Sequence, residues 1–247
     1  MKREPASNGK VVVSVVLPAY NEADVLEPAV TKISQALKEY GCPYEIIIAE
    51  DGSTDGTDKK AAMLAETVSF VRHIHGEKRL GRGNALKNTF KKANGEVLVY
   101  MDVDLATDIR HLQELIGSIK DEGYDLATGS RLLAESKVQR TKTRTTASKT
   151  YNLMVRVILG SKVKDQQCGF KAFRREPLMQ LLDEVEATHW FWDTEIIVRA
   201  YRKGYRIKEV PVEWKSGQDT KVHLFKDSWN MFWQIVALWW KLKIKKS

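Results

Sequence analysis

The stretch Val97-Leu98-Val99-Tyr100-Met101-Asp102-Val103-Asp104 decides the architecture. Five apolar residues of buried-strand character run straight into two aspartates at i and i+2. That spacing places both carboxylates on one face of an extended chain. They stand at the carboxyl end of the strand, where open α/β sheets hold their ligands. Two like charges this close raise each other's pKa, so the pair needs a reason. A divalent cation is the usual one: Mg²⁺ or Mn²⁺ takes one or two carboxylates together with phosphate oxygens of a substrate. An isolated D-x-D is more often a solvated acidic pair, so its surroundings carry the decision.

Upstream, residues 11–17 form a β-branched run suited to a covered parallel strand. Pro18-Ala19-Tyr20-Asn21-Glu22 follows, with Asn21 placed to cap a helix that should run to Tyr40, before Gly41 and Pro43. A second apolar strand, 45–49, ends in Glu50-Asp51-Gly52-Ser53-Thr54-Asp55. Helix 55–66, strand 69–74, a flexible basic loop 76–83 and helix 84–93 lead to the aspartate strand. This β-α alternation predicts a parallel sheet covered on both faces. Downstream, helix 108–122 precedes strand 125–129, which ends in Gly129-Ser130-Arg131. Three strand ends thus deliver polar groups to one sheet edge, the pattern of a ligand site.

Beyond Arg131 the chain changes character. Residues 135–150 are polar and basic, residues 132–145 read as a mobile loop, and an apolar helix follows at 151–159. A loop and short strand at 165–173, a helix at 176–186, and a helix opened by the aromatic segment at 189–195 come next. The run 206–214 alternates like an edge strand, consistent with Pro211. From 224 to 246 the period is helical, with Phe225, Trp229, Phe232, Trp233, Val236, Trp239 and Trp240 expected along one broad face and Lys241, Lys243, Lys245 and Lys246 at the end. A tryptophan-rich face with a basic end suits a helix lying on an anionic membrane. The expected organisation is a polar tail 1–10, an α/β domain 11–221 and an amphipathic helix 222–247.

The chain has 247 residues, 43% hydrophobic and 29% charged, which describes a globular domain with a full core. The net charge of +8 fits phosphate-bearing ligands and an anionic surface. Cys42 and Cys168 lie far apart without metal spacing, which implies a reducing compartment. The N-terminal residues lack the apolar core of a signal peptide, and no apolar run reaches the roughly 20 residues of a membrane span. The basic stretch 137–149 lacks interleaved aromatics, which argues against nucleic acid as partner. His73, His75, His111, His189 and His223 show no ligand spacing and read as structural or exposed.

Taken together, Pro18 to Glu22, Glu50 to Asp55, Asp102-Val103-Asp104 and Gly129-Ser130-Arg131 resemble the family 2, A-type glycosyltransferases in order and spacing. The resemblance covers about 11–215. Asp165-Gln166-Gln167-Cys168-Gly169-Phe170-Lys171, Trp192-Asp193-Thr194-Glu195 and Glu209-Val210-Pro211-Val212-Glu213-Trp214 look like the polyprenyl-phosphate, or dolichyl-phosphate, glucosyltransferase branch. The mannosyl-transferring relatives carry a glutamine two residues past the second aspartate. Here Ala106 stands there, which favours UDP-glucose over GDP-mannose.

The resemblance implies a GT-A fold, a Rossmann-like, mostly parallel sheet with helices on both faces, and an inverting transfer of a hexose from a nucleotide-diphosphate sugar to polyprenyl (dolichyl) phosphate. It places the metal, Mg²⁺ or Mn²⁺, on Asp104, with Asp102 nearer the ribose or a metal-bound water. Pro18, Tyr20 and Glu22 would wall the nucleotide, and Asp51 would accept a hydrogen bond from the base. A phosphate acceptor is already largely anionic near neutral pH, with a second pKa of about 6, so no general base is required. Cations must instead position it: Arg131 and Arg144 first, then Lys149 and Lys171. Arg140 and Lys142 read as solvated charges. Asp193 occupies the position of the base in hydroxyl-using relatives and is expected to orient sugar or acceptor. The alternatives are a GDP-mannose donor, or a saccharide hydroxyl acceptor with Asp193 as base. The expected location is peripheral, on the cytoplasmic face of a membrane, with docking through the C-terminal helix, a membrane partner or a homodimer.

Overall fold

A computed structural model describes residues 10–215 and 224–244, the last segment without its side chains before Asn230. The first half alternates as expected: β1 (Val13–Ala19), α1 (Ala23–Tyr40), β2 (Tyr44–Asp51), α2 (Thr57–Thr67), β3 (Val71–Gly76), α3 (Arg82–Lys92) and β4 (Val97–Met101). A 3₁₀ turn at Ile109–His111 leads into α4 (Leu112–Lys120) and β5 (Leu126–Ser130). Then come β6 (Lys137–Gln139), α5 (Lys142–Leu159), β7 (Phe170–Arg174), α6 (Arg175–Leu182), α7 (Trp192–Arg202), β8 (Ile207–Pro211), β9 (Glu213–Lys215) and α8 (Leu224–Ile244).

The main sheet has seven strands in the order β3-β2-β1-β4-β7-β5-β8. All pairings are parallel except those of β7, which runs antiparallel between β4 and β5. The sheet is therefore mostly parallel rather than wholly so. Because successive strand residues face opposite ways, the sheet splits its apolar residues between two layers. Val13, Val15 and Leu17 of β1 pack with Ile33 and Leu37 of α1 and Leu115 of α4. Val16 and Leu98 point the other way, onto Phe90 of α3, Leu178 of α6 and Ile196 of α7. Every β4 residue is buried, so the aspartates at its end emerge from an anchored strand.

Four expectations need correction. Asn21 does not cap α1: its φ is +55°, and the helix starts after Glu22 without a side-chain cap from that residue. The turn after β2 supplies the cap instead, with Glu22 N–H donating to Thr57 Oγ1 at 2.8 Å and Ala23 N–H to Asp55 Oδ2 at 3.2 Å. The segment 132–145 is not a simple loop but holds β6 and the first turn of α5, which Thr141 caps by accepting from Arg144 N–H. The run 206–214 divides at Val212, with β8 forming the sheet edge and β9 pairing with β6 in a separate ribbon.

The fourth correction concerns α8. Its inward stripe is Met231, Ile235, Leu238 and Leu242 with Trp239, packed with Tyr151, Val155 and Leu159 of α5. Trp233, Trp240 and Ile244 face solvent, as do Leu153 and Val157 of α5. The aromatic residues thus divide between two faces; Phe225 and Trp229 lie outside the described side chains. No helix among the described residues is long and apolar enough to cross a membrane.

Candidate active site

The carboxyl ends of β1, β2, β4 and β5 form one rim. On it the DxD turn is held tightly. Asp102 N–H donates to Gly169 O at 3.1 Å, and a Cβ on Gly169 would meet the Asp102 carboxylate and force it to move, so glycine here lets that carboxylate keep its place. Ala106 N–H donates to Asp104 Oδ1 at 3.0 Å. Between them Leu105 sits at φ +50°, a left-handed conformation unusual for a bulky residue and of the sort that clusters at functional turns.

The cleft walls, together with the charges of Asp102 and Glu22, raise the Asp104 pKa; a backbone hydrogen bond and Arg82 oppose them. Arg82, the first residue of α3, pairs with Asp102 at 2.6 Å and lies 4.8 Å from the ring centre of Trp190. Asp102, Asp104 and Glu22 gather carboxylates at this point, and their oxygen donors suit a hard divalent cation such as Mg²⁺ or Mn²⁺. The residues fit the metal that the sequence implies.

At the carboxyl end of β2, Asp51 is 6% exposed. Its two oxygens accept from Leu80 N–H and Gly81 N–H, both at 2.8 Å. Asp51 thus clamps the 76–81 loop. Gly81 permits the approach: its φ is +96°, and an added Cβ would meet His189 and Thr188 at 2.5 Å. The clamp brings the Arg79 guanidinium within 3.8 Å of the Tyr20 ring centre. Tyr20, Asp51 and Glu22 therefore line one flank, with Pro18 on the last turn of β1 beside them.

The opposite flank is cationic. Arg131 grips the buried Asp165 through Nε at 2.7 Å and Nη2 at 2.9 Å, and its own N–H adds a third bond at 2.9 Å. Burial alone would raise the Asp165 pKa. The charge and hydrogen bonds of Arg131 outweigh it and bring the carboxyl down to about 2. Arg131 also lies 5.6 Å from the Trp214 ring centre. Arg140 joins it. Its Nε is buried without a hydrogen-bond partner, and burial and the charge of Arg131 lower its pKa. Arg140 is therefore not the solvated charge that its sequence context suggests. Arg144 stands in the first turn of α5 and Lys149 lies exposed further along that helix.

Lys171 requires a correction. It is 0% exposed, and Nζ donates to Cys168 O at 2.6 Å, Asp193 Oδ1 at 2.7 Å and Tyr100 Oη at 3.2 Å. With three donors committed inside, it positions other groups rather than meeting an acceptor. Tyr100 donates to the same oxygen of Asp193, which is 3% exposed in the first turn of α7. Burial pushes the Asp193 carboxyl up to about 7 and the Lys171 amine down to about 7. Charges therefore alternate inward from the rim: Asp102, Arg82, Asp193, Lys171.

Sequence reasoning missed Arg82, Arg140 and the role of Asp165. Arg82 was visible only as one of several cations in 76–83. Asp165 carried the single available signal, its place in the motif that ends at Lys171.

Residues 14–182, more than half of the chain, match the model of Glycosyl transferase family 2. The chain is 46% identical over 248 residues to Glycosyltransferase AglD of Haloferax volcanii, covering 99% of this chain and 40% of that protein. It is 29% identical to the Dolichyl-phosphate beta-glucosyltransferase of Saccharomyces cerevisiae, over 95% of this chain and 76% of the other. Among solved structures, glucosyl-3-phosphoglycerate synthase from Mycobacterium tuberculosis in complex with Mn²⁺, UDP and glucosyl-3-phosphoglycerate superposes with a TM-score of 0.66 at 22% identity, covering 94% of this chain and 80% of the other. Mannosyltransferase PcManGT from Pyrobaculum calidifontis in complex with GDP-Man and Mn²⁺ gives a TM-score of 0.60 at 21% identity, covering 98% and 67%. At these identities the two structures establish the shared fold, the GT-A arrangement expected from the motifs.

Proposed function

The chain belongs to glycosyl transferase family 2, and we propose that it moves a hexose, glucose from UDP-glucose, onto a polyprenyl (dolichyl) phosphate with inversion at the anomeric carbon. The observation that carries this reading is the division of the rim. Carboxylates gather on one flank, and arginines held by a buried counter-ion stand on the other. A sugar donor with its metal belongs on the first flank and an anionic acceptor on the second.

Mg²⁺ or Mn²⁺ held by Asp102 and Asp104 would supply Lewis-acid stabilisation of the charge that grows on the leaving diphosphate. The protein does the rest. Tyr20 and Arg79 form a stacked wall for the nucleotide, and Asp51 fixes the loop that carries Arg79. Arg131, with Arg140 and Arg144, positions the acceptor phosphate in line with the anomeric carbon. An acceptor phosphate needs no base, and Asp193 is placed accordingly: buried, with one oxygen taken by Lys171 and Tyr100. That arrangement supports a phosphate acceptor over a hydroxyl one.

The name of the yeast relative, a dolichyl-phosphate beta-glucosyltransferase, supports the same donor and acceptor. The solvent-facing Leu153, Val157, Trp233, Trp240 and Ile244, beside Lys241 and Lys243, suit a membrane surface. They support reading the enzyme as peripheral, and its position on the cytoplasmic face, where a lipid-linked acceptor would present its phosphate, is part of the same proposal.

A donor screen tests the reading. Purified protein with Mg²⁺ or Mn²⁺, a polyprenyl phosphate, and UDP-glucose or GDP-mannose in parallel should yield lipid-linked hexose from UDP-glucose. Product from GDP-mannose alone would change the donor. Transfer only to a water-soluble saccharide would move the acceptor to a hydroxyl and assign Asp193 as base.

A further inference from the structure

A second group of ligating side chains is separate from the DxD carboxylates and independent of the reading above. Glu50 is the penultimate residue of β2, and His73 and His75 stand two apart on β3. In the parallel register Glu50 faces His75 and Ile48 faces His73, which puts both imidazoles on the side of the sheet edge that carries the Glu50 carboxylate. One ligating atom from each of the three lies within 4.8 Å of the others. The Glu50 side chain is 0% exposed and that of His75 is 49% exposed, with His75 Nδ1 2.5 Å from Glu50 Oε2. His73 Nε2 is buried and has no hydrogen-bond partner among the described residues.

We propose that Glu50, His73 and His75 bind a zinc ion at the edge of the sheet. Two imidazoles and a carboxylate form a recurrent zinc set, with bonds of about 2.0–2.2 Å and a water in the fourth position. Such bonds require the ligating atoms to approach to about 3.5 Å in a tetrahedron. His75, half exposed, would exchange its hydrogen bond to Glu50 for coordination by a rotation of its ring. Coordination also gives the orphaned His73 nitrogen a partner, removing the cost of a buried unpaired polar atom. The donor set differs in kind from the all-oxygen DxD pair, which suits harder ions.

The site bears on the turn next to it. The remaining oxygen of Glu50 accepts from Ser53 N–H, and Ser53 Oγ accepts from Asn21 N–H at 3.1 Å. Zinc would thereby stiffen the 50–55 turn that carries Asp51.

Chelator-treated full-length protein, titrated with Zn²⁺ by calorimetry and followed by thermal melting, decides the matter. Wild type and Asp104→Ala should both bind zinc tightly, one ion per chain, and melt at higher temperature with it. His75→Gln and His73→Gln should each bind more weakly by at least the roughly 100-fold that losing even a ligand's supporting partner can cost. Far-UV circular dichroism confirms folding; should His73→Gln fail to fold, the exposed His75→Gln decides alone. Zinc binding unchanged in His75→Gln, or abolished by Asp104→Ala, would overturn the assignment, as would binding too weak to saturate.

Discussion

The two flanks of the rim treat charge in opposite ways. On the carboxylate side Arg82 pairs with Asp102, and burial with the charges of Asp102 and Glu22 raises the Asp104 pKa. On the cationic side two buried charges have partners in place, Arg131 on Asp165 and Lys171 on Asp193, while the buried Nε of Arg140 has none among the described residues. The two halves are built differently: the first gathers like charges around Asp104, whereas in the second the fold itself supplies counter-ions for Arg131 and Lys171.

Experiments can break or sharpen this contrast. Asp104→Ala should reduce transfer by roughly 10³-fold, the range for removing a principal electrostatic stabiliser, while leaving urea stability unchanged or improved; a drop in stability would break the comparison. Asp165→Ala should do the reverse first, destabilising by about 3–5 kcal/mol in urea titration because the Arg131 guanidinium is left buried and unpaired.

The pH dependence separates the flanks further. Asp165 titrates at about 2 in the folded protein against 3.8 for the unfolded chain. Its contribution, on the order of 2 kcal/mol, is therefore present above pH 4 and lost as pH falls through 2. Acid unfolding of Asp165→Asn should lack that loss, and an unchanged acid limb would contradict the ion pair's role. Arg140→Ala should raise the acceptor KM by about tenfold, the low end for a charged hydrogen bond, with the donor KM unmoved. The smallest effect belongs to the outer face. Val157→Ser should weaken partitioning onto anionic vesicles by a few-fold, on the scale of one or two buried methylenes, without changing turnover of a short-chain, water-soluble prenyl phosphate.

How much of this was legible depended on whether a residue's role was local. The strand ends at 18–22, 50–55, 102–104 and 129–131 were readable because apolar run, turn and polar group follow one another in sequence. The fold class followed from them. Lys171 was not readable as buried, because its neutralising partner Asp193 comes 22 residues later and from a different helix. Asn21 looked like a cap, since only the folded chain brings Asp55 and Thr57 to the start of α1. The first turns of α5 are Thr-, Lys- and Arg-rich and mostly exposed, so they lack the apolar period by which a helix is recognised. In α8 the eye goes to tryptophan, but the aliphatic positions 231, 235, 238 and 242 hold the helical spacing that faces inward. The antiparallel β7 was invisible for a related reason: direction within a sheet is set by partners, and its partners are β4 and β5.

That one reversed strand also sets an order of events during synthesis. β1, β2, β3 and β4 pair only with one another up to Met101, so they can form a sheet as soon as they emerge. β5 cannot join them, because its neighbours are β7 and β8. Until Arg174 has left the ribosome, β4 presents a bare hydrogen-bonding edge. At roughly 5–20 residues per second, the stretch from Met101 to Arg174 takes several seconds. During that interval the nascent chain carries an apolar strand with one open edge, of the kind that templates aggregation, and its closure is delayed until β7 inserts. The wedge that brings Lys171 beneath the site is thus also the seam whose closing ends the chain's most vulnerable period.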